Sequence, residues 1–186
     1  MPLVAPEELG RELSDLAFGI IEQNWLTEHI GKAVDVKNLD QIQTNAAEWE
    51  LTYLILFAIT SGCGTFSATD RERTTATLKA FHTAFLKQIV EQAGPDIAAA
   101  HEKNLVPRYR LYGQTIEGED TTHPSYKTSY KRLGEAAAIQ ILGKPIEDPQ
   151  AADIFRETIK VIFTEVREAA IKVMRHQQVV QAQGDA

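Results

Sequence analysis

A chain of 186 residues, 44% hydrophobic and 24% charged, has the size of one domain and enough apolar side chains to bury a core. Its formal charge of −7 and pI near 5.3 point away from nucleic acid, whose binders usually carry a basic face, and away from docking on anionic lipid. A single cysteine, Cys63, leaves no intrachain disulfide framework and fits a reducing compartment, so the sequence reads as cytoplasmic.

The opening residues, MPLVAPEELGREL, lack a basic stretch followed by an apolar run, so no secretory leader is expected. A first helix is predicted from about Pro6 to His29, because Leu9, Leu13, Leu16, Ala17 and Ile20 recur on one face and Pro6 suits a first turn. Gly31 ends it. A second helix is expected over about residues 39–62, with Asn38 as N-cap and Gln41 three residues on. It carries the most apolar stretch of the chain, Trp49–Ile59, whose side chains point in every direction around a helix. Such a helix must be covered on all sides. The charge-free interval 51–69 is too polar in its second half to span a membrane, which asks for about 20 apolar residues.

Thr69 and Glu72 form a capping-box pattern for a third helix, with Leu78, Phe81, Phe85 and Ile89 as its stripe. Gly94-Pro95-Asp96 stops it, with Asp96 as N-cap of a fourth helix from Ile97. Pro107 predicts a break or kink between Lys103 and Pro107, since proline lacks a donor and crowds the preceding turn. The turn-like interval 117–125 leads to a fifth helix, Pro124–Leu142. A sixth opens on Asp148 and Pro149 and carries a near-heptad seam of Phe155, Ile159, Ile162, Val166, Ala169 and Val173. The polar tail from about residue 177 is expected to fray. No stretch alternates as a strand would. These elements together predict an all-α single domain, a bundle of about six helices around a buried central helix over residues 39–62.

Signatures of chemistry are sparse. Neither H-E-x-x-H, Cys-x-x-Cys nor Glu-x-x-His occurs, so no metal site and no cofactor is expected. His82, between Leu78 and Phe85, and His101 read as packed histidines. Cys63, between two glycines at a helix end, reads as a packing residue. Arg71 and Arg73 oppose the dipole of the helix they begin. No catalytic residue is assigned.

One concentration stands out. Tyr109, Tyr112, Tyr126 and Tyr130 fall in a short interval together with Arg108, Arg110, Lys127 and Lys131, in a chain that is otherwise acidic. Each tyrosine pair has the spacing of one helix face. An aromatic surface rimmed by cations suits a small anionic or amphipathic ligand. The sequence therefore reads first as a non-enzymatic helical bundle that works by protein–protein interaction or self-association. It reads second as a small-molecule-binding bundle using this Tyr/Arg face. A two-fold dimer is expected through an outward part of the first or last helix, where Val161, Phe163, Ala170, Ile171 and Met174 lie outside the seam.

Overall fold

The computed structural model of the chain describes residues 4–32, 34, 39–116 and 126–182. Side chains at 32, 126–129 and 176–182 lie outside that description. The fold is an all-α bundle: α1 (Pro6–Ile21), α2 (Trp25–Glu28), a 3-10 turn (Ile30–Lys32), α3 (Gln41–Gly64), α4 (Arg71–Ala93), α5 (Pro95–Ile116), α6 (Tyr126–Leu142) and α7 (Pro149–Ala182). There is no strand among the described residues, and no helix there is long and apolar enough to cross a membrane.

α3 is the buried central helix. Every residue from Leu51 to Ile59 is buried, as a segment apolar on all sides requires. Its start lies two residues later than the sequence suggests. Asp40 Oδ1 accepts from the Gln43 N–H at 2.8 Å while Gln43 Oε1 accepts from the Asp40 N–H at 3.0 Å, a reciprocal cap. Asn38, the expected N-cap, lies outside the described residues. The start of α4 shifts by one in the same way. Asp70, not Thr69, accepts from the Arg73 N–H at 3.0 Å, and Thr69 instead donates to the Phe66 carbonyl. A carboxylate one residue nearer the helix displaces a hydroxyl as cap.

Three further expectations are corrected. The first helix stops at Ile21, because Asn24 takes a left-handed conformation (φ 51) before α2 begins, which asparagine tolerates better than most residues. α5 starts at Pro95 and runs unbroken through Pro107. Proline removes one hydrogen bond there, but Lys103, whose carbonyl loses its donor, and Pro107 are both exposed, so water takes the donor's place. The buried seam of α7 follows Phe155, Ile159, Ile162 and Val166 and then moves to Ala170 and Met174, not Ala169 and Val173. A straight helix drifts off a strict heptad at this rate. Phe163, Ala170 and Met174 are therefore buried and unavailable to a partner, and the backbone of α7 stays helical through Ala182. Asp148 caps it as expected, accepting from the Ala151 N–H at 2.8 Å.

The helices gather into two compact units, Met1–Glu22 with Ala58–Asn104 and Glu165–Ala186, and Gln23–Phe57 with Leu105–Thr164. In the first, α1 lies along α4. Gly10 has no room for a side chain, since a Cβ there would come within 2.6 Å of the Ala80 and Phe81 backbone. The Phe18 and Phe85 rings stack at 4.9 Å, and Gln88 donates to Ser14 Oγ at 3.3 Å. Arg73 donates from Nη2 to the Val4 carbonyl at 3.1 Å, so this cation ties α4 to the residues that lead into α1. The second unit holds the aromatic cluster around Phe57 and the Glu50–Arg108 pair.

Candidate functional site

Phe57 of α3 is the centre on which the predicted aromatics converge. Its ring centroid lies 5.9 Å from both Tyr109 and Tyr112 of α5 and 5.7 Å from Phe163 of α7, which in turn lies 6.0 Å from Tyr130 of α6. The three-residue spacing of Tyr109 and Tyr112 puts both on the α5 face that meets α3. Tyr112 and Tyr130 are buried and Tyr109 is half-buried. Of the predicted cations, Arg110 and Lys131 are exposed, and Lys131 lies 4.0 Å from Glu135 on its own helix. The side chains of Tyr126 and Lys127 fall outside the described residues.

Arg108 has a partner the sequence reading missed. Its Nε donates to Glu50 Oε2 at 2.6 Å and its Nη2 donates to Glu50 Oε1, a two-pronged pair. The Glu50 side chain is 12% exposed and that of Arg108 28%. The hydrogen bond to Glu50 holds the Arg108 guanidinium above its already high pKa despite partial burial. An incoming anion would have to displace Glu50 from both prongs, and a nearly buried carboxylate left alone is costly. This arginine is occupied by the fold itself. Glu50 was legible: it is the one charge inside WELTYLILFAI, and a carboxylate entering an all-round apolar helix needs a buried cation.

The Tyr112 hydroxyl sits beside this pair, fully buried and with no hydrogen-bond partner. Burial first, and then the Glu50 charge, push its pKa well above the ordinary tyrosine value, so it stays protonated at any physiological pH. His82 donates from Nδ1 to the Leu78 carbonyl at 2.8 Å, and burial pushes its pKa down, as it does for His101. No group of three or more His, Cys, Asp or Glu among the described residues is placed to hold a metal ion.

Burial pushes the Cys63 thiol from 9.0 up to about 12. The unfolded chain therefore releases this proton first, so the thiol's contribution to stability is complete below pH 9 and drains away between pH 9 and about 12. Tyr112 acts in the same direction above pH 10. Raising the pH from 9 to 10.5 is expected to cost about 2 kcal/mol through Cys63 alone, at 1.36 kcal/mol per unit. Urea midpoints at the two pH values measure it, and Cys63→Ala should remove that part of the loss. An unchanged slope in the variant would show that the thiol does not titrate this way.

Two surface concavities accompany the cluster in this unit. A furrow of about 470 Å3 runs between α2 and α7, with Trp25 and His29 on one side and Ile154, Thr158 and Val161 on the other. The i, i+4, i+7 spacing puts the last three on one face. Trp25 and His29 rings lie 4.2 Å apart, and the Trp25 indole N–H has no hydrogen-bond partner. Asp153 and Glu157 line the furrow as well. A second cavity, of about 300 Å3, lies between α6, the turn after Gly143 and the start of α7. Comparison of the chain with protein-family models, curated proteins and solved structures gives no match in any of the three.

Proposed function

We propose that this is a non-enzymatic, cytoplasmic interaction module whose α2–α7 furrow receives an amphipathic helix of another protein. The observation that carries this reading is the exposure of Ile154 and Val161 beside Trp25 in an open furrow, with Thr158 between them on one helical stripe. Apolar groups at i, i+4 and i+7 are the anchors of helix-in-groove recognition.

The charges of the furrow select the partner. Among the described residues, Asp153 and Glu157 pair with cations of their own helix, Arg156 and Lys160, but the two carboxylates are themselves 71% and 68% exposed, which keeps these pairs weak. A partner stripe flanked by lysine or arginine complements them and the net charge of −7. A second copy would bring the same carboxylates to the same place, so hetero-association is favoured over the two-fold dimer. Cytoplasmic location rests on the single cysteine and its burial.

The test uses a designed helical peptide with a leucine stripe flanked by lysines, against versions flanked by glutamate or with scrambled order. Fluorescence anisotropy is expected to give a micromolar Kd for the first and at least tenfold weaker binding for the others. Ile154→Glu with Val161→Glu should abolish binding with the melting temperature kept, since both side chains are exposed. Equal affinity for all three peptides would defeat the reading. A dimer in sedimentation equilibrium that the same double substitution dissolves would replace it with self-association.

A further inference from the structure

The cavity between α6 and α7 is built differently from the furrow. It is lined by the apolar Ala138, Ile139, Ile146, Ala152 and Phe155 together with the charged Glu135 and Arg156. At about 300 Å3 it lies at the small end of ligand-binding pockets. It is about twice the ~150 Å3 apolar cavity known to take up benzene. An apolar body of about ten non-hydrogen atoms fits that space.

The two charges at the rim are not equivalent. Arg156 is packed in, with its side chain 23% exposed, and its stem lies so close to α6 that a Cβ on Gly134 would meet Arg156 Cγ at 2.6 Å. Glu135 is 52% exposed and reaches Arg156 Nη1 at only 3.5 Å. Asp153, on the same helix as Arg156, accepts from Nη2. The cation is therefore the positioned group and Glu135 the one able to move. A guanidinium has five donors in a rigid fork, so another carboxylate can take the place of Glu135 without leaving Arg156 unpaired. An amine would meet Arg156 at the mouth and have to compete with it, and with Lys131, for Glu135. A neutral molecule would not use the charge at all.

We infer that this cavity binds a small organic acid, its aromatic or branched apolar body against Ile139, Ile146 and Ala152 and its carboxylate on Arg156 in the place of Glu135. The cavity and the α2–α7 furrow have no lining residue in common, although Asp153 of the furrow also pairs with Arg156. It moves small-acid recognition from Arg108, which Glu50 occupies, to an arginine one of whose two carboxylate partners, Glu135, is half-exposed.

3-Phenylpropionate, 3-phenylpropylamine and 3-phenylpropionamide serve as probes, titrated into protein labelled at isoleucine and alanine methyls and followed by NMR. The acid is expected to shift the Ile139, Ile146 and Ala138 methyls to saturation with a Kd between tens of micromolar and a few millimolar, the range of ordinary ligand efficiencies. The amine and the amide should bind at least tenfold more weakly. Ala152→Phe, at a half-buried position of the lining, should abolish the shifts. Arg156→Gln should bring the acid down to the level of the amide. Glu135→Gln, at a half-exposed position that the fold tolerates, should tighten the acid severalfold by removing the competing carboxylate. No saturable shift with the acid, shifts that survive Ala152→Phe, equal binding of acid and amide, or no tightening in Glu135→Gln would each overturn the inference.

Discussion

Leu54→Asp is expected to leave no folded protein at 25 °C. Leu54 is fully buried, and its neighbours from Leu51 to Ile59 are buried as well, on every side of α3. The substitution forfeits the burial of a leucine, about 2–5 kcal/mol, and places a carboxylate in an apolar interior, which costs several kcal/mol more. Together these reach the whole stability of a typical domain, about 5–15 kcal/mol. Leu54→Ala should lose only the first part and remain folded, with a lowered urea midpoint. Circular dichroism and thermal melting of the two variants separate the contributions. A soluble Leu54→Asp protein with a native melting temperature would mean that this face of α3 meets water, and the account of the core would fall.

The second large effect concerns the pair that anchors α5 to α3. Arg108→Met is expected to cost about 3 kcal/mol, because it leaves the Glu50 carboxylate, the deeper of the two groups, without its cation. Glu50→Leu strands a guanidinium that is more exposed and should cost less, about 1–2 kcal/mol. The double variant is the informative one. Buried pairs replaced by apolar groups of similar volume are often neutral or better, so Glu50→Leu with Arg108→Met should be more stable than Arg108→Met alone. Urea denaturation of all four proteins gives the coupling energy. If the single losses simply add, the pair is not an energetic unit and Arg108 is held by something else.

The architecture was legible because it rests on periodicity. Leu9, Leu13, Ala17 and Ile20 fall on one buried face as their spacing requires, and so do Phe81, Phe85 and Ile89. Helix starts were harder, since Thr69 and Asp70 both make good caps and only the competition for one N–H decides between them. Pro107 misled because a proline's cost depends on whether water reaches the carbonyl it orphans, and sequence does not report exposure. The aromatic cluster was half legible. The tyrosine spacing gave the shared face of Tyr109 and Tyr112, but nothing in it gave Phe57 or Phe163 as their neighbours. Glu50 is hidden for a different reason: it sits inside an apolar run as the run's one charge. The cavity at Arg156 left no local signature, because Gly134, Glu135 and Arg156 meet only across two helices.

The distribution of Trp25, Trp49 and Cys63 has a practical consequence. Both tryptophans of the chain lie within Gln23–Phe57, in one compact unit, and the only thiol lies within Ala58–Asn104, in the other. Indole emission therefore reports on the surroundings of two side chains in one unit. A fully buried thiol that must ionise before it reacts can be labelled only when the other unit opens. The molecule thus carries two native reporters, one optical and one chemical, each confined to its own half of the fold and readable in the same denaturant series without an introduced probe.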